Sequence, residues 1–209
     1  MKRKLFRLAT LSFLSLFVVL THGAPAAAQA RSSLAPPIPR SAGYTSAFEK
    51  IHTQPASKNK LIIKDLQSKM AEMPPPYIFE LARRTYDTDP KEGLILFWLA
   101  TLRAHTDAAK CSDISVLQGL KHWNKLVPRI VKVLKTYPKS SQRAKLIAIE
   151  RDKAFLTDTS PRWICFSGRA AARAKAENRK YEFWHKPTSE WRALRKQTRL
   201  NMTKSANKK

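Results

Sequence analysis

The chain has 209 residues and carries 40 Lys or Arg against 15 Asp or Glu, a formal charge of +25 at neutral pH. Such a charge attracts anionic partners, which include nucleic acid, anionic lipid or glycan and acidic proteins, and it does not distinguish between them. No apolar stretch after the first 30 residues is long enough to span a bilayer, which excludes a transmembrane segment there. The length fits one domain with flexible ends.

The first 30 residues have the pattern of a cleavable signal peptide. Four basic side chains and no acidic one open the chain, an apolar stretch runs from Leu8 to Leu20, and Ala28-Gln29-Ala30 offers the small-x-small pattern that signal peptidase accepts. A bilayer span takes about 20 residues, which argues against the alternative of a retained membrane anchor. We therefore expect a periplasmic or secreted protein of the bacterial envelope. It begins at about Arg31 and keeps 36 basic and 15 acidic side chains, a charge of +21.

The two cysteines, Cys111 and Cys165, are interpreted in the light of export. An oxidising compartment favours their pairing, and only one pairing is possible. A crosslink that encloses about 55 residues stabilises a fold by roughly 4 kcal/mol in the chain-entropy model. Two buried free thiols, or one reactive cysteine, are the alternatives.

Residues 31–45 have the composition of an extended Pro-rich linker, and residues 46–168 that of a helical domain. Apolar residues recur in this domain at helical spacing, as Leu61, Leu66 and Met70 do, and the sequence shows no convincing strand-type alternation. In chain order, the predicted helices cover about residues 46–52, 58–73, 77–86, 90–102, 113–137 with a break or kink at Pro128, 141–155, 169–181 and 188–200.

The clearest local signal is the start of the helix at Pro90. Asp89 can cap the exposed N–H groups, and Pro90 occupies the first position, where a missing N–H costs nothing. Glu92 in the first turn is favourably placed against the helix dipole. Apolar residues lie on most sides of this helix, so we expect it to be the central buried element. The fold is predicted to be all-α, an irregular helical bundle with antiparallel helical hairpins and a basic helical C-terminal extension.

That extension, residues 169–209, contains 13 basic and three acidic side chains. We expect it to be partly helical and then disordered. The aromatic segment 160–168 before it should be irregular, and the expected disulfide ties this segment to Cys111. Removing residues 169–209 should therefore leave a folded helical core.

Residues 74–168 resemble a group of exported bacterial helical proteins to which no activity is assigned. The resemblance lies in the order of the segments 75–82 (Pro-Pro-Tyr-Ile-Phe-Glu-Leu-Ala), Glu92-Gly93-Leu94, Phe97-Trp98, Leu102-Arg103-Ala104, 111–113 (Cys-Ser-Asp) and 161–164 (Pro-Arg-Trp-Ile). The pair of predicted helices 77–86 and 90–102 is also similar to the hairpins of tetratricopeptide or Sel1-like repeats, which are protein-binding scaffolds. A solenoid needs about three such repeats, and the sequence shows one. The resemblance implies the fold and the compartment, and it implies no active-site residues.

No motif of catalysis or metal binding is recognisable. His105, Asp107 and Cys111 lie close in sequence, but their spacing matches no standard zinc pattern. The carboxylates are scattered, and the chain has neither a Gly-rich phosphate loop nor a Gly-x-Ser-x-Gly motif. Glu80, which precedes Arg83 and Arg84, is most simply a partly buried ion-pair or capping residue. We therefore predict no catalytic residue, no metal and no cofactor.

Two basic stripes are the candidate binding residues. The first follows near i, i+4, i+8 and i+11 and can share one helix face if Pro128 only kinks the segment; it consists of Lys121, Lys125, Arg129 and Lys132. The second lies in the extension and consists of Arg192, Arg195, Lys196 and Arg199 with Trp184 and Trp191 nearby. Such residues can bind phosphates and stack on bases or sugars, or lie on an anionic membrane surface. The alternative for both stripes is a solvated helix face whose tryptophans dock onto the domain.

These features favour a non-enzymatic, periplasmic binding module that engages an acidic partner protein of the cell envelope or of a secretion system. The alternative is attachment to an anionic polymer or surface, with peripheral membrane contact or, less favoured, nucleic acid. A cell-envelope enzyme is the third possibility, and it needs a cleft that gathers two carboxylates or a histidine. A protein partner should bind at a defined ratio in moderate salt because its interface has an apolar core, whereas polymer binding falls steeply with salt.

Overall fold

The computed structural model describes residues 45–155, 158–182 and 184–207, and this part of the chain contains ten α-helices and no β-strand. The all-α class is therefore confirmed. The helices are α1 (Thr45–His52), α2 (Asn59–Ser68), α3 (Pro75–Thr85), α4 (Pro90–Lys110), α5 (Val116–Gly119), α6 (Pro128–Thr136), α7 (Pro138–Ala154), α8 (Arg162–Cys165), α9 (Arg169–Ala176) and α10 (Trp191–Ala206). Shorter 3-10 helices cover Ala56–Lys58, Leu120–Leu126 and Thr188–Glu190. The predicted signal peptide and residues 31–44 of the predicted linker lie outside the described residues.

Helix α4 is the centre of the fold. Its N terminus is capped as predicted, because the side chain of Asp89 accepts a hydrogen bond from the backbone N–H of Glu92 at 3.0 Å. Of its 21 residues, 14 are buried, since α3, α7 and α10 all pack against it. This confirms α4 as the central buried element, whereas the antiparallel arrangement of α3 and α4 stays a prediction.

Two prolines that were predicted to end or to kink a helix instead begin one, Pro75 in α3 and Pro128 in α6. The helix predicted over residues 58–73 ends at Ser68, and Leu61 on its expected apolar face is 70% exposed. Pro75 is the first residue of α3, because a helix leaves its first N–H groups without partners in any case. Pro128 likewise begins α6, and Val127 before it has φ −128° and ψ 50°, outside the helical region. The segment 113–137 is therefore broken at Pro128 rather than kinked.

A disulfide fastens the end of α4 to α8. The Sγ atoms of Cys111 and Cys165 lie 2.02 Å apart, which confirms the predicted pairing. The segment around Cys165 was expected to be irregular, but it contains α8 and a fully buried tryptophan, Trp163. The indole of Trp163 meets that of Trp123 edge to face, with ring centroids 5.5 Å apart.

The C-terminal extension packs into the core. Helix α10 continues to Ala206, beyond the predicted end near residue 200, and its Met202 joins an apolar cluster with Leu102 of α4 and Ile149 of α7. The chain before α10 runs beside the end of α4, where the backbone N–H of Lys186 donates to the carbonyl of Lys110 at 2.7 Å. Removal of residues 169–209 would uncover this apolar contact, and the folding of the shortened core stays a prediction.

Gly93 allows the first turn of α4 to approach the end of α3. A Cβ atom placed on Gly93 would lie 2.7 Å from both the Cα and the Cβ atom of Tyr86. The backbone of Tyr86 is held in place, because its N–H donates to the carbonyl of Ala82 at 2.9 Å. A larger residue at position 93 therefore has no space unless the two helices separate.

We expect Gly93→Ala to lower the free energy of unfolding by roughly 1–3 kcal/mol, since the added methyl overpacks this contact. At an unhindered helical position the same change raises stability by about 1 kcal/mol, so the sign of the effect is diagnostic. Urea unfolding followed by circular dichroism measures it. Gly119→Ala in α5 is the matched control, because the nearest atom to its Cβ would be the Ser167 Oγ at 3.6 Å. A stabilised Gly93 variant would contradict the close approach.

Candidate binding surface

Two cations of the C-terminal stripe are engaged inside the fold. Asp152 on α7 is 1% exposed and accepts hydrogen bonds from Arg195 Nη2 at 3.2 Å and from Arg199 Nε at 2.7 Å. The Nε atom of Arg103 lies 3.7 Å from the same carboxylate. A buried carboxylate is costly unless it is paired, so Asp152 holds these arginines and fixes α10 on α7. This corrects the prediction that Arg195 and Arg199 face an external anion.

The tryptophans of the same stripe dock onto the domain, which was the alternative interpretation of the sequence. Trp191 Nε1 donates to the carbonyl of Lys186 at 3.1 Å, and the ammonium group of Lys110 lies 4.6 Å from the centroid of the Trp191 ring. The ring of Trp184 packs against Phe166 at a centroid distance of 5.7 Å. Of the stripe, Arg192 and Lys196 are exposed to solvent.

Carboxylates do converge near the C-terminal end of α4, but the space between them is very small. Asp107, Asp152 and Asp158 line a cavity of about 10 Å³, which has room for about one water molecule. Lys110 Nζ lies 3.2 Å from Asp107 Oδ1 and 3.1 Å from Asp158 Oδ1, and Trp163 Nε1 donates to Asp107 Oδ2 at 2.7 Å. Burial raises the pKa of the Asp107 carboxyl although Lys110 acts in the opposite direction. A substrate has no space here, so the cluster serves to join α4, α7 and α8.

Glu80 forms a second buried cluster at the junction of α1 and α3. It is fully buried and accepts hydrogen bonds from Arg83 Nε at 2.8 Å and from Arg84 Nε at 2.6 Å, while His52 Nδ1 lies 2.8 Å from its Oε2. Burial by itself raises the pKa of the Glu80 carboxyl, but the hydrogen bonds and charges of Arg83 and His52 outweigh it and lower the pKa. The predicted ion-pair role of Glu80 is confirmed.

The residues considered for a metal have separate environments. His105 is exposed, Asp107 is bonded to Trp163 and Lys110, and Cys111 is in the disulfide. Among the described residues, no group of three or more His, Cys, Asp or Glu side chains is arranged to hold a metal ion. The described helices also include none with both the length and the apolar character needed to cross a membrane.

The stretch of chain from α5 into α7 is rich in basic side chains and has no carboxylate of its own. Residues 114–149 contain eight basic side chains and no Asp or Glu. We call the seven exposed ones the basic surface; they are Lys121, Lys125, Arg129, Lys132, Lys135, Lys139 and Arg143. Arg129 forms an ion pair with Asp87. None of the other six has an ion pair with a carboxylate of the described part of the chain.

The first predicted stripe lies within this basic surface but not on one helix face. Lys121 and Lys125 belong to the 3-10 helix Leu120–Leu126, whereas Arg129 and Lys132 belong to α6. The break at Pro128 separates the two elements, so the regular spacing across it does not align the four side chains. All four are nevertheless exposed.

An open depression of about 380 Å³ lies where these two elements meet. It is lined by Asn124, Lys125, Pro128, Val131, Lys132 and Lys135. The apolar residues Pro128 and Val131 lie between lysines that come from both elements. The depression therefore combines an apolar surface with a positively charged rim.

No family model, curated protein or solved structure matches the chain. The resemblance to tetratricopeptide or Sel1-like hairpins accordingly stays a prediction.

Sequence reasoning missed part of this surface. Lys135, Lys139 and Arg143 were not among the predicted binding residues, because they do not continue the i, i+4, i+8 and i+11 spacing of the first stripe. The absence of Asp and Glu from residues 114–149 is visible in the sequence and would have identified them. The partial exposure of Val131 could not be predicted in the same way, because it depends on how α6 packs on the domain.

We expect Asp152→Asn to lower the free energy of unfolding by about 3–5 kcal/mol, because the buried guanidinium groups of Arg195 and Arg103 lose their shared counter-charge. Urea unfolding measures the loss. Glu150→Gln on the same helix is the matched control, since its exposed pair with Lys153 contributes at most about 1 kcal/mol. Equal effects of the two changes would contradict the role given to Asp152.

Glu80→Gln should lower the free energy of unfolding by about 3 kcal/mol at neutral pH. The carboxyl pKa is lower in the folded state than its ordinary value of 4.5, so ionised Glu80 stabilises above pH 4.5 and loses this effect as the pH falls through the folded-state pKa. The difference between wild type and variant should therefore shrink in acid, as measured by urea unfolding across pH. The exposed Glu72→Gln is the control. A difference that stays constant down to about pH 3 would refute the ionic role.

Proposed function

We propose that the mature chain is an exported, periplasmic binding module that engages an acidic partner protein through the basic surface. The observation that carries the proposal is the run of 36 residues, 114–149, with eight basic side chains and no acidic one. Six exposed cations of this run have no counter-charge within the described part of the chain. An acidic partner would supply that charge and would be steered towards this face by its field.

The exposed side chains keep the positive excess of the chain. Of the 15 carboxylates, Glu80, Glu92, Asp107, Asp113 and Asp152 are buried wholly or in part. The described residues therefore expose 23 basic but only ten acidic side chains. The surface that a partner meets therefore keeps a clear excess of positive charge.

The apolar depression favours a protein over a polymer as the partner. Specific protein interfaces have an apolar core inside a polar rim, and Pro128 and Val131 between Lys125, Lys132 and Lys135 match that arrangement. Electrostatic binding of a polyanion depends on contacts between charges, and an apolar centre adds nothing to it.

Export is supported by two independent features. The first is the charged, apolar and small-x-small order of residues 1–30. The second is the disulfide between Cys111 and Cys165, because disulfides persist in oxidising compartments and are rare in the cytosol. Both are compatible with the periplasm or with full secretion.

Attachment to an anionic lipid, glycan or nucleic acid is the second candidate function. It is favoured by exposed cations beyond the basic surface, such as Arg169 and Arg173 on α9 and Arg192 and Lys196 on α10. A chain that carries positive charge on several faces can bind a polyanion in many orientations. Such binding needs no particular lysine.

The test is capture from an envelope extract by the mature protein, compared with two variants of equal net charge. One carries Lys125→Gln, Lys132→Gln and Lys135→Gln on the basic surface, and the control carries Lys60→Gln, Lys64→Gln and Lys91→Gln, which are exposed elsewhere. We expect one discrete protein at a fixed ratio, retained in moderate salt by wild type and control and lost by the first variant.

Heterogeneous lipid, glycan or nucleic acid released early by salt, with both variants weakened alike, would replace the proposal by polyanion attachment. The reason is that polyanion affinity follows the number of phosphate or carboxylate contacts rather than one patch. Circular dichroism of each variant verifies that the fold is intact.

A further inference from the structure

We propose that the depression between the 3-10 helix Leu120–Leu126 and α6 is the anchor of this interface. It takes a large apolar side chain of the partner, and carboxylates next to that side chain meet the lysines of the rim. The partner segment is therefore an acidic amphipathic peptide. This inference rests on the proposed function and names the chemistry that the site recognises.

The geometry of α6 presents one continuous face to the depression. Pro128, Val131, Lys132 and Lys135 follow one another at i, i+3, i+4 and i+7, and residues at these spacings lie on the same side of a helix. Ile130 is 1% exposed and marks the side of α6 that packs on the core. Val131 lies at the border of the two faces, because it lines the depression and is also partly buried against the core.

The break at Pro128 provides the second wall. Because the chain turns at Val127, Asn124 and Lys125 of the 3-10 helix line the depression from the other side. A continuous helix would have placed Lys125 and Pro128 on one convex surface with no depression between them. The site is therefore a product of two elements rather than of one amphipathic helix.

The chemistry of the lining selects its occupant. Lysine side chains cover apolar surface with their methylene stems and keep the ammonium group in water. Lys125, Lys132 and Lys135 therefore extend the apolar floor and also place three positive charges at its edge. An apolar side chain that fills such a pocket inside a polar rim is the usual form of an interface hot spot. Carboxylates one helical turn away on the partner would reach the ammonium groups.

The experiment uses two fluorescent peptides of equal charge, titrated with the mature protein and read by anisotropy. Both are rich in glutamate; one carries leucine on a single helical face, and the other has serine at those positions. We expect the leucine peptide to bind about tenfold more tightly than the serine peptide. Val131→Thr should weaken binding of the leucine peptide about fivefold with no change of charge. Lys132→Gln with Lys135→Gln should weaken both peptides, and the exposed Lys64→Gln should weaken neither.

Each other outcome decides against the inference in a different way. Equal binding of the two peptides, sensitive only to the lysine changes, overturns the apolar anchor and leaves recognition of an acidic protein in place. Binding of phosphatidylglycerol vesicles but of neither peptide overturns the anchor and the proposed function together. Binding of neither peptide and no vesicle overturns the anchor. The comparison of the two peptides needs no change in the protein, so it holds even if the Val131→Thr variant proves unstable.

Discussion

The fold depends on the pairing of its few buried carboxylates with basic side chains. Asp152 is shared by Arg103, Arg195 and Arg199, which belong to α4 and α10. Glu80 plays the same part for α1 and α3. The side chains of a strongly basic chain repel one another when it folds. A buried carboxylate that forms ion pairs with cations of two helices replaces this repulsion by attraction and holds the helices together. The same pairing also withdraws arginines such as Arg103 and Arg195 from the surface.

The C-terminal end of α4 is where distant parts of the chain are joined. Cys111 brings α8 to this end through the disulfide, and Lys110 is covered by the ring of Trp191. The segment before α10 adds backbone hydrogen bonds on both sides of Cys111, with Ser112 N–H donating to the carbonyl of Trp184 at 3.1 Å and Lys186 N–H donating to the carbonyl of Lys110 at 2.7 Å. These contacts explain why a strongly basic extension packs on the domain instead of remaining solvated.

The basic surface owes its form to a single interruption. Proline has no N–H to donate and starts a helix more readily than it continues one, so Pro128 divides the segment into two elements with the non-helical Val127 between them. The division costs the regular stripe of cations that helical spacing suggested. In return it creates a concave place in which apolar and charged groups lie together, and a concave site can discriminate between partners better than a row of solvated lysines.

The sequence by itself determined the all-α class, the capped start of α4 at Asp89 and the pairing of Cys111 with Cys165. These features depend on local hydrogen bonding, on the periodicity of apolar residues and on there being only two cysteines. Tertiary structure alone decided which cations are free. Arg195 and Lys196 are neighbours of the same charge, yet one is buried against Asp152 and the other is exposed. Periodicity shows which residues share a face of a helix, but whether that face meets a carboxylate or water depends on the helix packed against it, and that helix can lie anywhere else in the chain.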